Sequence, residues 1–85
     1  IILDGIKIDV KETRYTNDPY LVAWRENPDI EIYVLMICKY PIYEYGGWID
    51  ANTLHANKSI VPKFAHNQAI PNMKMSELYK THPSY

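Results

Sequence analysis

A single cysteine, Cys38, stands in a chain of 85 residues. It excludes an internal disulfide framework and fits a reducing compartment or an indifferent one. Glycine is scarce, three residues against six prolines, and no segment repeats. Collagen-like, coiled-coil and low-complexity classes are thereby excluded. Neither sign of charge is in excess: nine Lys and Arg against ten Asp and Glu leave a net charge of −1. The simple argument that a basic chain seeks nucleic acid fails on that balance. Long hydrophobic runs are missing as well. The longest, Ile32 to Cys38, is far short of the ~20 residues that span a bilayer, and no stretch resembles a signal peptide.

What is present is ordinary for a globular protein, 47% hydrophobic and 13% aromatic. A chain of this size buries only about 60% of the surface its unfolded form exposes, so one thin core is expected. The chain opens at Ile1 inside an apolar pattern. It reads as a single domain over residues 1–85 or as the C-terminal part of a longer one. A β-rich core is expected over residues 1–55, with a loop and a short helix over residues 56–85.

Asp4-Gly5 between apolar stretches signals a hairpin, because both turn positions accept positive φ at little cost. Beyond it Ile6, Ile8 and Val10 alternate with Lys7, Asp9 and Lys11, the period of a strand with one wet face. Asp18-Pro19 and Asn27-Pro28-Asp29 are turn punctuation, with a short strand between them over Tyr20 to Trp24. Asp29 to Tyr40 reads as a longer strand that is apolar on both sides in its middle, as central strands are. Gly46-Gly47 interrupts the next strand and predicts a bulge or a close backbone approach. Asp50 is a candidate cap for a helical turn over residues 50–55. Asn57 to Asn72 reads as loop with one short strand at Ser59-Ile60-Val61. Met73 to Lys80 reads as a brief helix capped by Asn72. The coarse expectation is a β-meander with little helix.

The chemistry-bearing triplet is Asp9-Val10-Lys11. Residues two apart in a strand point to one face, so the Asp9 carboxylate and the Lys11 ammonium emerge together, with Val10 directed into the core. A carboxylate can hold a hard divalent cation. A neighbouring lysine can orient a water and offset charge building on a phosphate. Composition alone yields roughly 0.8 acid-x-Lys matches in such a chain, so a same-face ion pair on a solvated strand is the competing reading.

The surroundings add to the triplet. Ile8-Asp9-Val10-Lys11, then Thr13-Arg14-Tyr15, then Asp29 with Ile32-Tyr33-Val34-Leu35, then Gly47-Trp48-Ile49 stand in one order. That order resembles the later half of small nucleases of the PD-(D/E)XK superfamily, most of all phage and bacterial members, over roughly residues 1–55. The resemblance implies an α/β (α+β) fold, with a restriction-endonuclease-like core of a mixed β-sheet and few helices, lacking its N-terminal helix and strand. It implies a Mg²⁺-dependent endonuclease that hydrolyses DNA phosphodiester bonds, with Mn²⁺ as a substitute ion, in a bacterial or phage-encoded cytoplasmic setting. Asp9 would be a metal ligand, the Val10 carbonyl would face the metal, and Lys11 would be the catalytic lysine. Thr13 and Arg14 would touch DNA phosphates, against the alternative of loop surface.

The sequence also departs from the family. The first acidic ligand expected on a preceding strand is missing, since Asp4 reads as turn chemistry. The rest of the site would come from upstream or from a partner chain, and unpaired strand edges would favour a homo-oligomer. The rival reading is a non-catalytic nucleic-acid-binding or assembly module on the same scaffold. A third is a small β domain of unrelated ancestry.

Other residues read blandly. Glu12 points away from Lys11 and takes no role. His55, His66 and His82 lack metal-ligand spacing. Cys38 reads as a small buried hydrophobe. Tyr40, Tyr43, Tyr45 and Trp48 read as rings that enlarge a thin core or cover a strand edge, with stacking on single-stranded nucleic acid as the alternative. Lys58 and Lys63 read as a solvated loop.

Overall fold

The structure, a computed structural model, describes residues 2–3, 5–23, 28–60 and 69–80. Ile2–Leu3 (β1) folds back on Ile6–Thr13 (β2), with Leu3 opposite Ile6. Gly5 takes φ +81° in the turn, as the Asp-Gly signal requires, while Asp4 lies outside the described residues. Tyr20–Val22 (β3) follows, then the long hairpin of Ile32–Lys39 (β4) and Ile42–Asp50 (β5), which turns at a cis Tyr40-Pro41 bond. Helix α1 (Ala51–Ala56), β6 (Lys58–Ile60) and β7 (Ala69–Lys74) complete the regular elements, with a 3₁₀ turn over Met75–Glu77. Trp24 and Val61, expected in strands, lie outside the described residues.

The expected meander does not form. β2 and β4 run parallel, Asp9 beside Tyr33 and Lys11 beside Leu35, with β1 and β5 antiparallel on the two flanks in the order β1-β2-β4-β5. Parallel neighbours need a crossover, and the crossing segment carries β3 into a second sheet of order β3-β7-β6. The result is a small mixed α+β domain, mostly sheet, with one α-helix among the described residues.

One core unites the two sheets and the helix: Leu21 and Ala23, Tyr33 and Leu35, Ile49, Ala51 and Leu54, and Leu78. Leu21 and Leu54 are wholly buried, a placement worth about 1.5–3 kcal/mol for each side chain. Tyr33, Leu35 and Ile49 define the face of the four-stranded sheet that meets this core.

The paired glycines form the bulge. Leu35 pairs with Gly47 and Met36 with Tyr45, which leaves Gly46 as the extra residue. A Cβ on Gly46 would sit 3.0 Å from the Leu35 carbonyl oxygen, and one on Gly47 2.7 Å from Leu78 Cβ. The close approach at Gly47 lets Trp48 and Tyr79 exchange both backbone hydrogen bonds, each of 2.9 Å, so that Tyr79 covers the edge of β5.

The C-terminal third differs from its expectation as loop and helix. β7 occupies Ala69–Lys74, with Met73 opposite Leu21 and Lys74 opposite Tyr20. Strand pairing therefore claims the residues expected to begin a helix, and only Met75–Glu77 coils. Asn72 caps nothing: it is buried, and its amide nitrogen donates to Ser59 Oγ and the Ile70 carbonyl, both at 2.8 Å. The 3₁₀ turn is held by Asp18, whose carboxylate accepts from Ser76 N at 2.9 Å and Ser76 Oγ at 3.0 Å. No helix among the described residues is long and apolar enough to cross a membrane.

Candidate functional site

β2 carries Asp9, Lys11 and Thr13 on the face that meets the core, because each lies beside a buried residue of β4: Tyr33, Leu35 and Ile37. All three are half-buried at the margin of that face. The Lys11 ammonium lies 3.0 Å from the Asp9 carboxylate. Side chains two apart on one strand thus meet as expected, and they meet as an ion pair.

Val10 corrects the expectation. Its side chain is 37% exposed and lies on the opposite face, beside Val34. The alternation itself holds, but the second sheet and α1 cover the Tyr33–Leu35 face, so the polar residues of β2 are the ones that turn inward. Glu12 shares the outer face with Val10 and points away from Lys11, as the alternation implies.

Thr13 and Arg14 sit where β2 ends. The Thr13 hydroxyl accepts the Tyr15 N–H at 3.2 Å, a local turn of the kind Ser and Thr favour. Arg14 is exposed.

A polar pair not foreseen from the sequence lies on the Asp9 side of the sheet. Tyr33 is buried to 1% exposure and its hydroxyl meets His55 Nε2 at 2.8 Å, the rings packed edge to face. A signal for it exists, since a helix capped at Asp50 places Ala51, Leu54 and His55 on one side. The cap is as expected: the Asp50 carboxylate accepts from Thr53 N at 3.0 Å and from Thr53 Oγ1 at 2.7 Å. Partial burial pushes the Asp50 carboxyl up, but the hydrogen bonds from Thr53 prevail and hold it below the usual value. His66 and His82 lie outside the described residues, as does Lys63.

Cys38 is not a core residue. It is half-buried on the outer face opposite Tyr43. The neighbouring Cys38 side chain, and after it the charge of Glu12, pushes the Tyr43 phenol above its ordinary value. Nor do the other tyrosines enlarge the core: Tyr40 is 89%, Tyr43 52% and Tyr45 40% exposed.

Among the described residues no group of three or more His, Cys, Asp or Glu side chains could hold a metal ion. Mg²⁺ commonly takes one or two carboxylates, several waters and substrate phosphate oxygens. Asp9 meets only the lower end of that requirement. No protein-family profile, curated protein or solved structure matches this chain.

Proposed function

We propose that the chain is the later half of a restriction-endonuclease-like domain that hydrolyses DNA phosphodiester bonds. One observation carries the reading. The Asp-x-Lys strand, the Ile-Tyr-Val-Leu strand and the Gly-Trp-Ile strand lie side by side as β2, β4 and β5 of one mixed sheet. The family resemblance calls for these motifs in a sheet of that kind.

In this reading Asp9 and the Val10 carbonyl would hold Mg²⁺, or Mn²⁺ in its place, and the ion would supply positive charge against the phosphate oxygens. Lys11 orients the attacking water and stabilises charge gathering on phosphorus-bound oxygen. The water oxygen bonds to phosphorus and gives up a proton, one ester P–O bond breaks, and the leaving oxygen takes a proton. Thr13 and Arg14, at the end of the same strand, contact the flanking phosphates.

The second acidic ligand would come from an upstream segment or a partner chain. β1 pairs with β2 only at Ile6 and Lys7. From Asp9 to Thr13 no described strand lies along the outer edge of β2, and open edges recruit strands.

The alternative is a non-catalytic nucleic-acid-binding or oligomeric module on the same scaffold. It is favoured by the ion pair itself, in which Lys11 neutralises the single carboxylate of the site. Incubation of plasmid DNA with the chain and Mg²⁺ or Mn²⁺ separates the two. Cleavage is expected once the segment or partner that supplies the second acid is present, and is lost in Lys11→Ala and Asp9→Asn. A Lys11→Ala chain that cuts as fast as the parent would sink the nuclease reading.

A further inference from the structure

A cleft of about 510 Å³ opens where β2 ends beside the turn of the β4–β5 hairpin, lined by Glu12, Thr13, Arg14, Cys38, Tyr40 and Tyr43. Its chemistry is mixed in a particular way. Tyr40 and Tyr43 offer large exposed rings. Arg14 offers a guanidinium and Glu12 a carboxylate, and neither takes part in an ion pair among the described residues. Several other charged residues are already engaged: Lys7 with Asp29, Lys11 with Asp9, and Lys39 with Glu44. Lys74 stands over the Tyr20 ring, and Lys80 donates to the carbonyls of Gly46 and Met75. A cation, an anion and two rings around one hollow match a ligand that is flat, anionic at one end and rich in N–H at the other.

We propose that this cleft binds an unpaired nucleotide of single-stranded DNA, its base against Tyr40 and Tyr43, its phosphate on Arg14, and its exocyclic amino group donating to Glu12. A base inside a duplex is stacked on both faces and cannot enter such a site. Glu12 adds a preference, because cytosine presents an amino donor where thymine presents a carbonyl acceptor. This inference deepens the phosphate contact assigned to Arg14 and rests on that part of the proposed function, but it requires neither metal nor cleavage.

The test is fluorescence anisotropy of labelled dC and dT 12-mers and of a duplex of equal length, in EDTA, where no cutting can interfere. The dC strand should bind more tightly than dT, and both more tightly than duplex. Base–aromatic stacking sets the expected loss in Tyr40→Ala and Tyr43→Ala at roughly five- to 150-fold each. Arg14→Ala should weaken dC and dT alike and flatten the salt dependence, while Glu12→Ala should remove the preference for dC. Binding in EDTA needs neither metal nor cutting, so failure of cleavage leaves this result untouched. Absence of single-strand binding, equal binding of duplex, or an unchanged Tyr43→Ala variant would overturn the proposal.

Discussion

The Tyr33 hydroxyl and His55 Nε2, 2.8 Å apart, tie the central strand of the main sheet to the only α-helix among the described residues. Tyr33→Phe keeps the ring and deletes the hydroxyl, leaving a part-buried imidazole nitrogen unpaired. A loss of about 0.5–1.5 kcal/mol is expected, read as a lower urea midpoint with unchanged slope. A midpoint equal to that of the parent would show that water replaces the tyrosine at His55.

The ion pair of Asp9 and Lys11 should contribute little to stability, because both side chains remain partly solvated. A double-mutant cycle with Asp9→Asn and Lys11→Ala is expected to give a coupling of about 0–1 kcal/mol, shrinking as salt is added. Stability and cleavage therefore separate cleanly at this site: the variants that abolish cutting should melt close to the parent temperature.

Asp50 links helix α1 to acidity. Its folded-state carboxyl titrates below the unfolded one, so its contribution is complete above the ordinary aspartate range, about pH 4. That contribution is lost as the pH falls through the lower folded value. Asp50→Ala should cost about 0.5–2 kcal/mol at neutral pH, and the difference from the parent should narrow below pH 4. Urea titrations at pH 7 and pH 3 measure both.

Gly47 tolerates no side chain. Its φ is +137°, and a methyl carbon at this position would lie only 2.7 Å from Leu78 Cβ. Gly47→Ala should therefore expel the segment around Tyr79 from the edge of β5. Gly5→Ala meets no atom within 4 Å and should cost only its backbone strain, about 1 kcal/mol. Thermal melts of the two variants should rank in that order.

The features legible in the sequence are those fixed by adjacent residues. The Asp4-Gly5 turn, the Asp50 cap and the Gly46 bulge each follow from a backbone preference or a hydrogen bond within a few positions. β7 is hidden because Pro71 and Asn72 disguise a strand whose existence depends on pairing with Leu21 and Ser59 across the fold. The orientation of Val10 is hidden for a similar reason: alternation reveals two faces but not which of them another layer will cover. Asp9 and Lys11 can be paired from spacing alone, whereas the pairing of Tyr33 with His55 needs the helix to be laid on the sheet.

The parallel pairing of β2 with β4 has a kinetic consequence. Asp9 meets Tyr33, and Lys11 meets Leu35, across 24 positions of chain, whereas the β1–β2 and β4–β5 turns each close over a few residues. Closing the longer loop costs chain entropy before any contact compensates for it. The two hairpins are therefore expected to form early, with the transition state for folding lying where they first zip together along Ile8–Thr13 and Ile32–Ile37. Substitutions at Val10 and Val34 should slow refolding, while those near Tyr79 should mainly hasten unfolding.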